Sequence, residues 1–473
     1  MRNRKSICIL IMALLLLTGC GKNNDYGLST KDIQEVRLWH YYNGVQAIAF
    51  DELVDEFNST VGKEKGIVVV AESKSSIGDL QEAVTAAVEK RVGAEAIPSI
   101  FQCYQDVAVT LDEQDVLVNL DNYIDEKVKA EYYQPYIDEG TFGTDNGWKI
   151  FPTAKSTEIL MVNKVAWDAF AEATGVTYED MSTWEGLAEV AEKYYEYSGG
   201  KAFFGRDAMA NYMLVGSNQL GSEVFTVDSG KATVQFDKEI AKKLWDNYYM
   251  PYVKGYYLAN ERFRSDDMKL GGIIAMVCSS TGASYFPTEV SLEDGSIQET
   301  EAIVLPIPNF EGKDICVVQQ GAGMAVAKTS AREEYASVIF LEWLTQSDKN
   351  LSFAVDSGYL PVKNEDCSVE KLENYLSSAE IDLDTVEQQA IRVSFEQIEN
   401  GTTYTARGFS NGYDARNILE YSLSDAAKAD RETVLAYMDE GMSMEDAVAE
   451  LNTNEKFDTW YLDTKSRLEE LCK

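Results

Sequence analysis

The chain has 473 residues, 45% of them hydrophobic and 11% aromatic, which suits two or three packed domains and argues against disorder. Its formal charge of −37, from 42 basic and 79 acidic residues, excludes nucleic acid as a partner, because such binding rests on Lys and Arg neutralising phosphates. The single histidine, His40, leaves no His-rich metal site and none of the usual Ser-His or Cys-His nucleophiles, so neither a metal nor another cofactor is expected.

Residues 1–20 read as a processed leader. Arg2, Arg4 and Lys5 form its basic start, and residues 7–17 form an apolar stretch too short for a comfortable membrane span. Leu17-Thr18-Gly19-Cys20 resembles a bacterial lipobox, which implies a diacylglycerol on the Cys20 sulfur and cleavage just before it. Two acyl chains anchor stably where one does not, so the expected location is the outer face of the cytoplasmic membrane, held by the N-terminal lipid only. Residues 21–33 are polar and read as a flexible tether. The remaining cysteines, Cys103, Cys278, Cys316, Cys367 and Cys472, are odd in number and contain no CxxC pair, which predicts buried thiols rather than disulfides.

Beyond the tether, residues 36–39 begin a strand, Phe50, Leu53, Val54 and Phe57 recur at helical spacing, and 67–71 form a second apolar strand. Leu80, Val84, Ala87 and Val88 mark another helix before Pro98-Ser99-Ile100-Phe101 enters a third strand, an alternation that predicts a parallel, doubly wound sheet. The pattern restarts past Pro152. Residues 159–162 read as a strand, and Ser182-Thr183-Trp184-Glu185 reads as a capping box opening a helix with Leu187, Val190, Ala191 and Tyr194 on one face. Ile240, Leu244 and Tyr248 mark a further helix, expected to stop at Pro251.

The stretch 271–286 is an apolar run that breaks into small hydroxylated residues. It predicts a buried strand whose exit, Ser279-Ser280-Thr281-Gly282, offers hydroxyls and backbone N–H groups at a sheet edge, where open α/β sheets hold ligands. Strands follow at 302–305 and 323–326. Tyr335, Val338 and Ile339 mark a helix running to Trp343 and Leu344, which Gly358-Tyr359-Leu360-Pro361 follows as a break. The remainder is helical, with a capping box at Ser443-Met444-Glu445-Asp446 and an amphipathic run over 455–471.

Several short motifs, in order, resemble the extracellular solute-binding proteins of ABC importers for carbohydrates: the lipobox, Leu38-Trp39-His40, Phe151-Pro152 followed by 158–164, Thr183-Trp184-Glu185-Gly186-Leu187, Ala275-Met276 and Gly358-Tyr359-Leu360-Pro361. The resemblance implies an α/β, two-lobed periplasmic-binding-protein-like fold of type II with ligand in the cleft between lobes. Lobe one would be 34–154 with 323–356, and lobe two 155–322 with 357–473. Within the family the chain is most similar to the glycerol-3-phosphate and glycerophosphodiester binders.

That similarity implies ligand contacts from Trp39, His40, Ser156, Thr157, Ser280, Thr281, Gly282, Gly321, Tyr359 and Arg416, with Arg407 a rival to Arg416. Tyr41, Tyr42, Tyr104 and Tyr212 join them as rings on which a sugar face could stack. The Tyr-Glu pair that the phosphate binders carry after the second strand is missing, Ile77, Gly78 and Asp79 standing nearest, and Arg206-Asp207 stands where a tryptophan-rich segment is expected. The expected function is capture of a carbohydrate or a glycerol or sugar phosphate by a monomer, and its delivery to the transmembrane permease of an ABC importer, without catalysis. A surface hydrolase acting on glycans through two carboxylates, or an adhesive lipoprotein, would be the alternatives.

Overall fold

A computed structural model describes residues 26–472 apart from 229, 293 and 382–384. The leader and Cys20 lie outside the described residues. Part of the expected tether, 26–33, is attached to the body instead: the Tyr26 ring packs 4.6 Å from that of Tyr335, and Arg332 Nη1 donates to Asp32 Oδ2 at 2.5 Å.

The architecture is two sheets flanked by helices. The first sheet contains β1 (Gln34–His40), β2 (Ile67–Ser73), β3 (Ile100–Cys103), β4 (Ile150–Phe151) and, from far along the chain, β9 (Gly323–Val326), in the order β2-β1-β3-β9-β4. β1 pairs in parallel with β2 and β3, whereas β9 runs antiparallel to β3 and β4, so the sheet is mixed rather than wholly parallel. The second sheet contains β5 (Glu158–Asn163), β6 (Phe204–Arg206), β7 (Ala275–Ser279) and β8 (Ala302–Leu305), in the order β8-β5-β7-β6. β5 is buried at every position because both faces are covered, which is why its sequence is a continuous apolar run rather than an alternation.

Helices follow the apolar spacing. α1 (Gly44–Ser59) buries Phe50, Leu53, Val54 and Phe57, and α2 (Ile77–Val88) buries Leu80 and Val84. α3 (Gln105–Glu113) follows β3 directly. α4 (Trp184–Ser198) is capped by Thr183, whose hydroxyl accepts from Gly186 N, one residue later than the expected box, because Ser182 closes the preceding turn. α5 is Met209–Leu220 and α6 is Lys238–Lys254. Pro251 does not stop α6: it lies inside, the Asn247 carbonyl goes without its helical donor, and the helix ends at Gly255 with φ of 86°.

α7 (Ala331–Leu344) and α8 (Ser347–Ser357) cover the first sheet, whereas α9 (Val386–Asn400) and the 28-residue α10 (Gly412–Asp439) pack in the second half, with α11 (Asn454–Leu471) laid on α10. Separate hydrophobic cores form, one around Val36, Phe57, Trp148 and Phe340, another around Trp184, Leu244, Trp245 and Leu423.

The chain passes between the sheets near residues 153–157, 318–322 and 357–361, and these passes are bonded to one another. Ser156 and Gln320 exchange backbone hydrogen bonds at 2.8 and 3.0 Å, and Lys155 and Leu360 do so at 3.1 and 2.5 Å. The Lys155 ammonium is buried, donating to Glu139 Oε2 at 2.7 Å and to the Gly321 carbonyl at 2.8 Å. Gly321 has φ of 95°, and a Cβ there would stand 2.8 Å from the Ala154 carbonyl oxygen. Replacing Gly321 with Ala should therefore lower folding stability by roughly 1–3 kcal/mol, read as an earlier denaturant midpoint with an unchanged slope.

Candidate functional site

The ends of both sheets that face the passes deliver polar side chains into one cleft. From the first sheet, Tyr41 follows the last residue of β1 and Tyr104 caps α3 directly after β3. Strands in parallel end together, so their carboxyl ends place both residues on one edge. The Tyr41 backbone N–H is fixed by the buried Gln102 side chain at 3.0 Å, and its hydroxyl faces those of Tyr104 and of Tyr359, the latter at 3.5 Å. Burial pushes all three phenols well above their ordinary pKa, so they stay neutral and can both donate and accept.

From the second half comes Arg416, one turn into α10. Its Nη2 donates to Asn211 Oδ1 at 2.6 Å, and the side chain is half-buried. It makes no ion pair among the described residues, although 79 acidic residues surround it in sequence. Its charge nonetheless acts on Tyr104, Asp106, Glu158 and Tyr404, which places it at the meeting point of both halves. Asn211 is itself held by Glu158 Oε1 at 2.9 Å and by Gln320 Oε1 at 3.1 Å. Glu158 is paired with the buried Arg206 at 2.8 Å, and burial still pushes its carboxyl up. Arg206 lies 5.6 Å from the Trp184 ring centroid and 5.3 Å from that of Tyr212.

Of the residues expected to contact ligand, Tyr104, Tyr359 and Arg416 come together, with Gly321 and Ser156 beside them in the passes. The others are engaged inside the protein. Trp39 is 1% exposed, in a core cluster with Leu80 and Phe101, and Lys74 caps its ring at 4.2 Å. Tyr42 packs among Phe50, Phe353 and Tyr359, leaving Tyr41 as the cleft residue of the pair. Tyr212 is buried with its hydroxyl donated to the Leu244 carbonyl at 2.9 Å. Thr157 is buried, its carbonyl accepting from Ser280 N at 2.7 Å. Ser280 donates its hydroxyl to the Gly358 carbonyl at 3.0 Å, Thr281 pairs with Ser279, and Gly282 packs on Cys278. The hydroxyl-rich exit of β7 thus braces the third pass.

Asn211, Gln320 and Asp106 are cleft residues that sequence reasoning missed. Asn211 was visible only as part of the Arg206–Tyr212 stretch, and Gln320 only as the neighbour of Gly321. Asp106, half-buried, has its carboxyl raised by burial, with Val107 N–H and Arg416 opposing. Two further contacts join the halves: Tyr285 Oη donates to Asn43 Oδ1 at 3.0 Å, and Gly408 N–H donates to Gln105 Oε1 at 2.6 Å.

A two-sheet α/β protein whose halves share three bonded passes and a polar, tyrosine-lined cleft is a two-lobed binding protein of the periplasmic type. The chain belongs to the bacterial extracellular solute-binding proteins, whose family profile matches residues 52–367. Membership makes solute binding, not glycan hydrolysis, its activity. No curated protein matches it in sequence.

Solved structures show the same fold at low identity. The chain is similar to UgpB from Mycobacterium tuberculosis, solved with glycerophosphocholine, at 16% identity and TM-score 0.69, covering 93% of this chain and 98% of that one. It is also similar to a cyclic alpha-maltosyl-1,6-maltose binding protein from Arthrobacter globiformis at 17% identity and TM-score 0.65, covering 93% and 100%. The GacH receptor of Streptomyces glaucescens, solved with acarbose, follows at 13% identity and TM-score 0.66, covering 93% and 98%.

His40 has a structural part with a pH signature. It is 2% exposed, its Nδ1 accepts from Tyr42 N at 3.1 Å, and burial lowers its pKa to about 4, against a smaller upward pull from Glu72. The folded state thus holds a neutral ring where the unfolded chain binds a proton below 6.5, so stability is lost as pH falls from 6.5 towards 4. The loss from this group is roughly 3 kcal/mol. Comparing urea midpoints of the wild type and His40→Asn over that interval should show a steeper acid loss in the wild type, since Asn retains an acceptor for Tyr42 N–H without titrating.

Proposed function

We propose that this protein is the substrate-binding component of an ABC importer, capturing a carbohydrate or a glycerol or sugar phosphate and delivering it to the permease. The observation that carries this reading is the convergence on one cleft of Tyr41, Tyr104 and Tyr359 from one side and, from the other, Arg416, which makes no ion pair among the described residues. Neutral phenols give flat apolar faces with polar rims, which suit sugar rings, and a guanidinium bonded only to an amide keeps N–H donors for vicinal hydroxyls or a phosphate. The structural neighbours solved with glycerophosphocholine and with acarbose support both solute classes.

The lobes divide as 34–154 with 323–356 and 155–322 with 357–473, and the passes near 155, 321 and 358 act as the hinge. Solute bridging the tyrosines and Arg416 favours the closed arrangement, which the permease reads. The monomer is attached to the outer face of the cytoplasmic membrane through lipid on Cys20, which becomes the first residue once 1–19 are removed. This part rests on the leader sequence alone.

A thermal-shift panel of residues 21–473 with glycerol-3-phosphate, glycerophosphodiesters, monosaccharides and oligosaccharides tests the reading. A true solute at a hundred times its Kd should add about 2.7 kcal/mol to stability. Arg416→Ala should weaken that solute about tenfold or more, as expected for loss of a charge-assisted hydrogen bond. A protein that no member of the panel stabilises would defeat the importer reading.

A further inference from the structure

Residues 26–33 precede the first sheet, yet they are built onto its core. The Tyr26 ring joins a pair formed by Tyr123 and Tyr335, with centroids 5.4 and 4.6 Å away. Those two rings are themselves fixed: they stack at 6.3 Å, and Tyr123 Oη donates at 2.5 Å to Oε2 of Glu334, the neighbour of Tyr335 on α7. Leu28 packs on the core that contains Val36, Phe57 and Phe340. Ser29 and Asp32 close a turn, Asp32 N donating to the Ser29 carbonyl at 3.2 Å. Arg332, also on α7, donates to both the carboxylate and the carbonyl of Asp32.

The body is shaped to receive this segment. Gly66 ends the short helix Val61–Lys65 with φ of 75°, and a Cβ there would collide with the Ser29 carbonyl oxygen. The Gly66 carbonyl then accepts from Gln34 N at 2.8 Å, where β1 begins. An aromatic cluster, an apolar contact, an ion pair and a close backbone approach, all to residues distant in sequence, thus hold a stretch whose composition reads as a loose polar tether.

The place of attachment sets a distance. β1 starts at Gln34 beside this segment and ends at His40, just before the cleft residue Tyr41, so the segment lies at the end of the first sheet away from the cleft, about 20 Å from it at the rise of a strand. Six residue steps separate Tyr26 from Cys20, and an extended chain covers at most ~3.6 Å per residue, which limits the span to ~22 Å. Were all of 21–33 unattached, the limit from Cys20 to Gln34 would be ~50 Å. Attachment at Tyr26 removes more than half of that reach.

We propose that residues 26–33 are a clasp that makes lobe one the membrane-held lobe: the end of the first sheet away from the cleft is kept within ~22 Å of the lipid surface, and lobe two is left free of it. The proposal rests on the reading of Cys20 as the lipid-bearing residue. It is tested with the full lipidated chain on vesicles of phosphatidylcholine and phosphatidylglycerol that carry an acceptor-labelled lipid. Cys367→Ser and Cys472→Ser remove the thiols that are partly exposed. A donor dye is attached through Lys63→Cys, exposed beside the clasp, or through Leu270→Cys, 60% exposed just before the amino end of β7 at the cleft-distant end of the second sheet. Tyr26→Ser combined with Asp32→Ala opens the clasp, and both substitutions lie in the segment itself, so matching circular dichroism confirms that the body stays folded.

Energy transfer to the vesicle should be about twofold or more stronger from position 63 than from position 270, because two strand lengths, roughly 40 Å, lie between those ends. The double variant should bring that ratio towards one. Equal transfer from both positions, or a ratio that the double variant leaves unchanged, overturns the clasp, and the anchoring reading stands as long as the chain floats with the vesicles. A chain that does not float with them, or that floats equally well as Cys20→Ser, defeats the anchoring reading itself, and the clasp falls with it.

Discussion

The buried ammonium of Lys155 is the contact on which the geometry of the cleft depends. It joins Glu139, at the end of a helix packed on the first sheet, to the carbonyl of Gly321 in the second pass, while its own backbone pairs with Leu360 in the third. Taking an ammonium and a carboxylate out of water is expensive, and their attraction offsets the cost only when the remaining hydrogen-bonding groups are also satisfied. Here Gly321 O completes the ammonium, and Gln319 Nε2 adds a donor to Glu139 Oε2 at 2.5 Å. Removing either partner would leave a buried charge at the point where three chain segments meet. The two sheets are thereby held with their ligand-facing ends opposed, and Tyr359 and Gln320 follow the bonded passes into the cleft.

A second buried pair does the corresponding work on the far side. Arg206 neutralises Glu158, and Glu158 then accepts from Asn211, which in turn accepts from Arg416. Each step is a directional bond, so the guanidinium of Arg416 is aimed by a chain that begins in the second sheet. Tyr212, which in sequence looks like a sugar platform, lies with Trp184 around the Arg206 cation instead. Asp207, beside it, is raised by burial to about 6 against the pull of Arg264, its partner at 3.4 Å. The polar Arg206-Asp207 entry is therefore structural.

That division explains what the sequence could show. Strands such as Ile67–Ser73 and Glu158–Asn163 and helices such as Gly44–Ser59 were legible because burial imposes a period on apolar residues. Gly358 was legible as a break because positive φ favours glycine. Which aromatic residue enters the cleft was not legible. Trp39, His40, Tyr41 and Tyr42 are all plausible at a strand end, and the choice of Tyr41 is made by Gln102 holding its N–H and by Phe50 and Phe353 enclosing Tyr42, partners distant in sequence. Arg416 could be singled out, but that no carboxylate pairs with it among the described residues is a fact of three dimensions.

The overall charge gives that missing partner its weight. A chain at −37 repels anions at long range, but ionic screening limits this to about 8 Å at physiological ionic strength. Inside the cleft the local balance governs instead: Glu158 is cancelled by Arg206, Glu139 by Lys155, and Asp106 is shifted towards its neutral form by burial. Arg416, which makes no ion pair among the described residues, stands there beside neutral phenols. The acid surface keeps the protein soluble, and the paired interior charges keep that field from deciding what the cleft accepts.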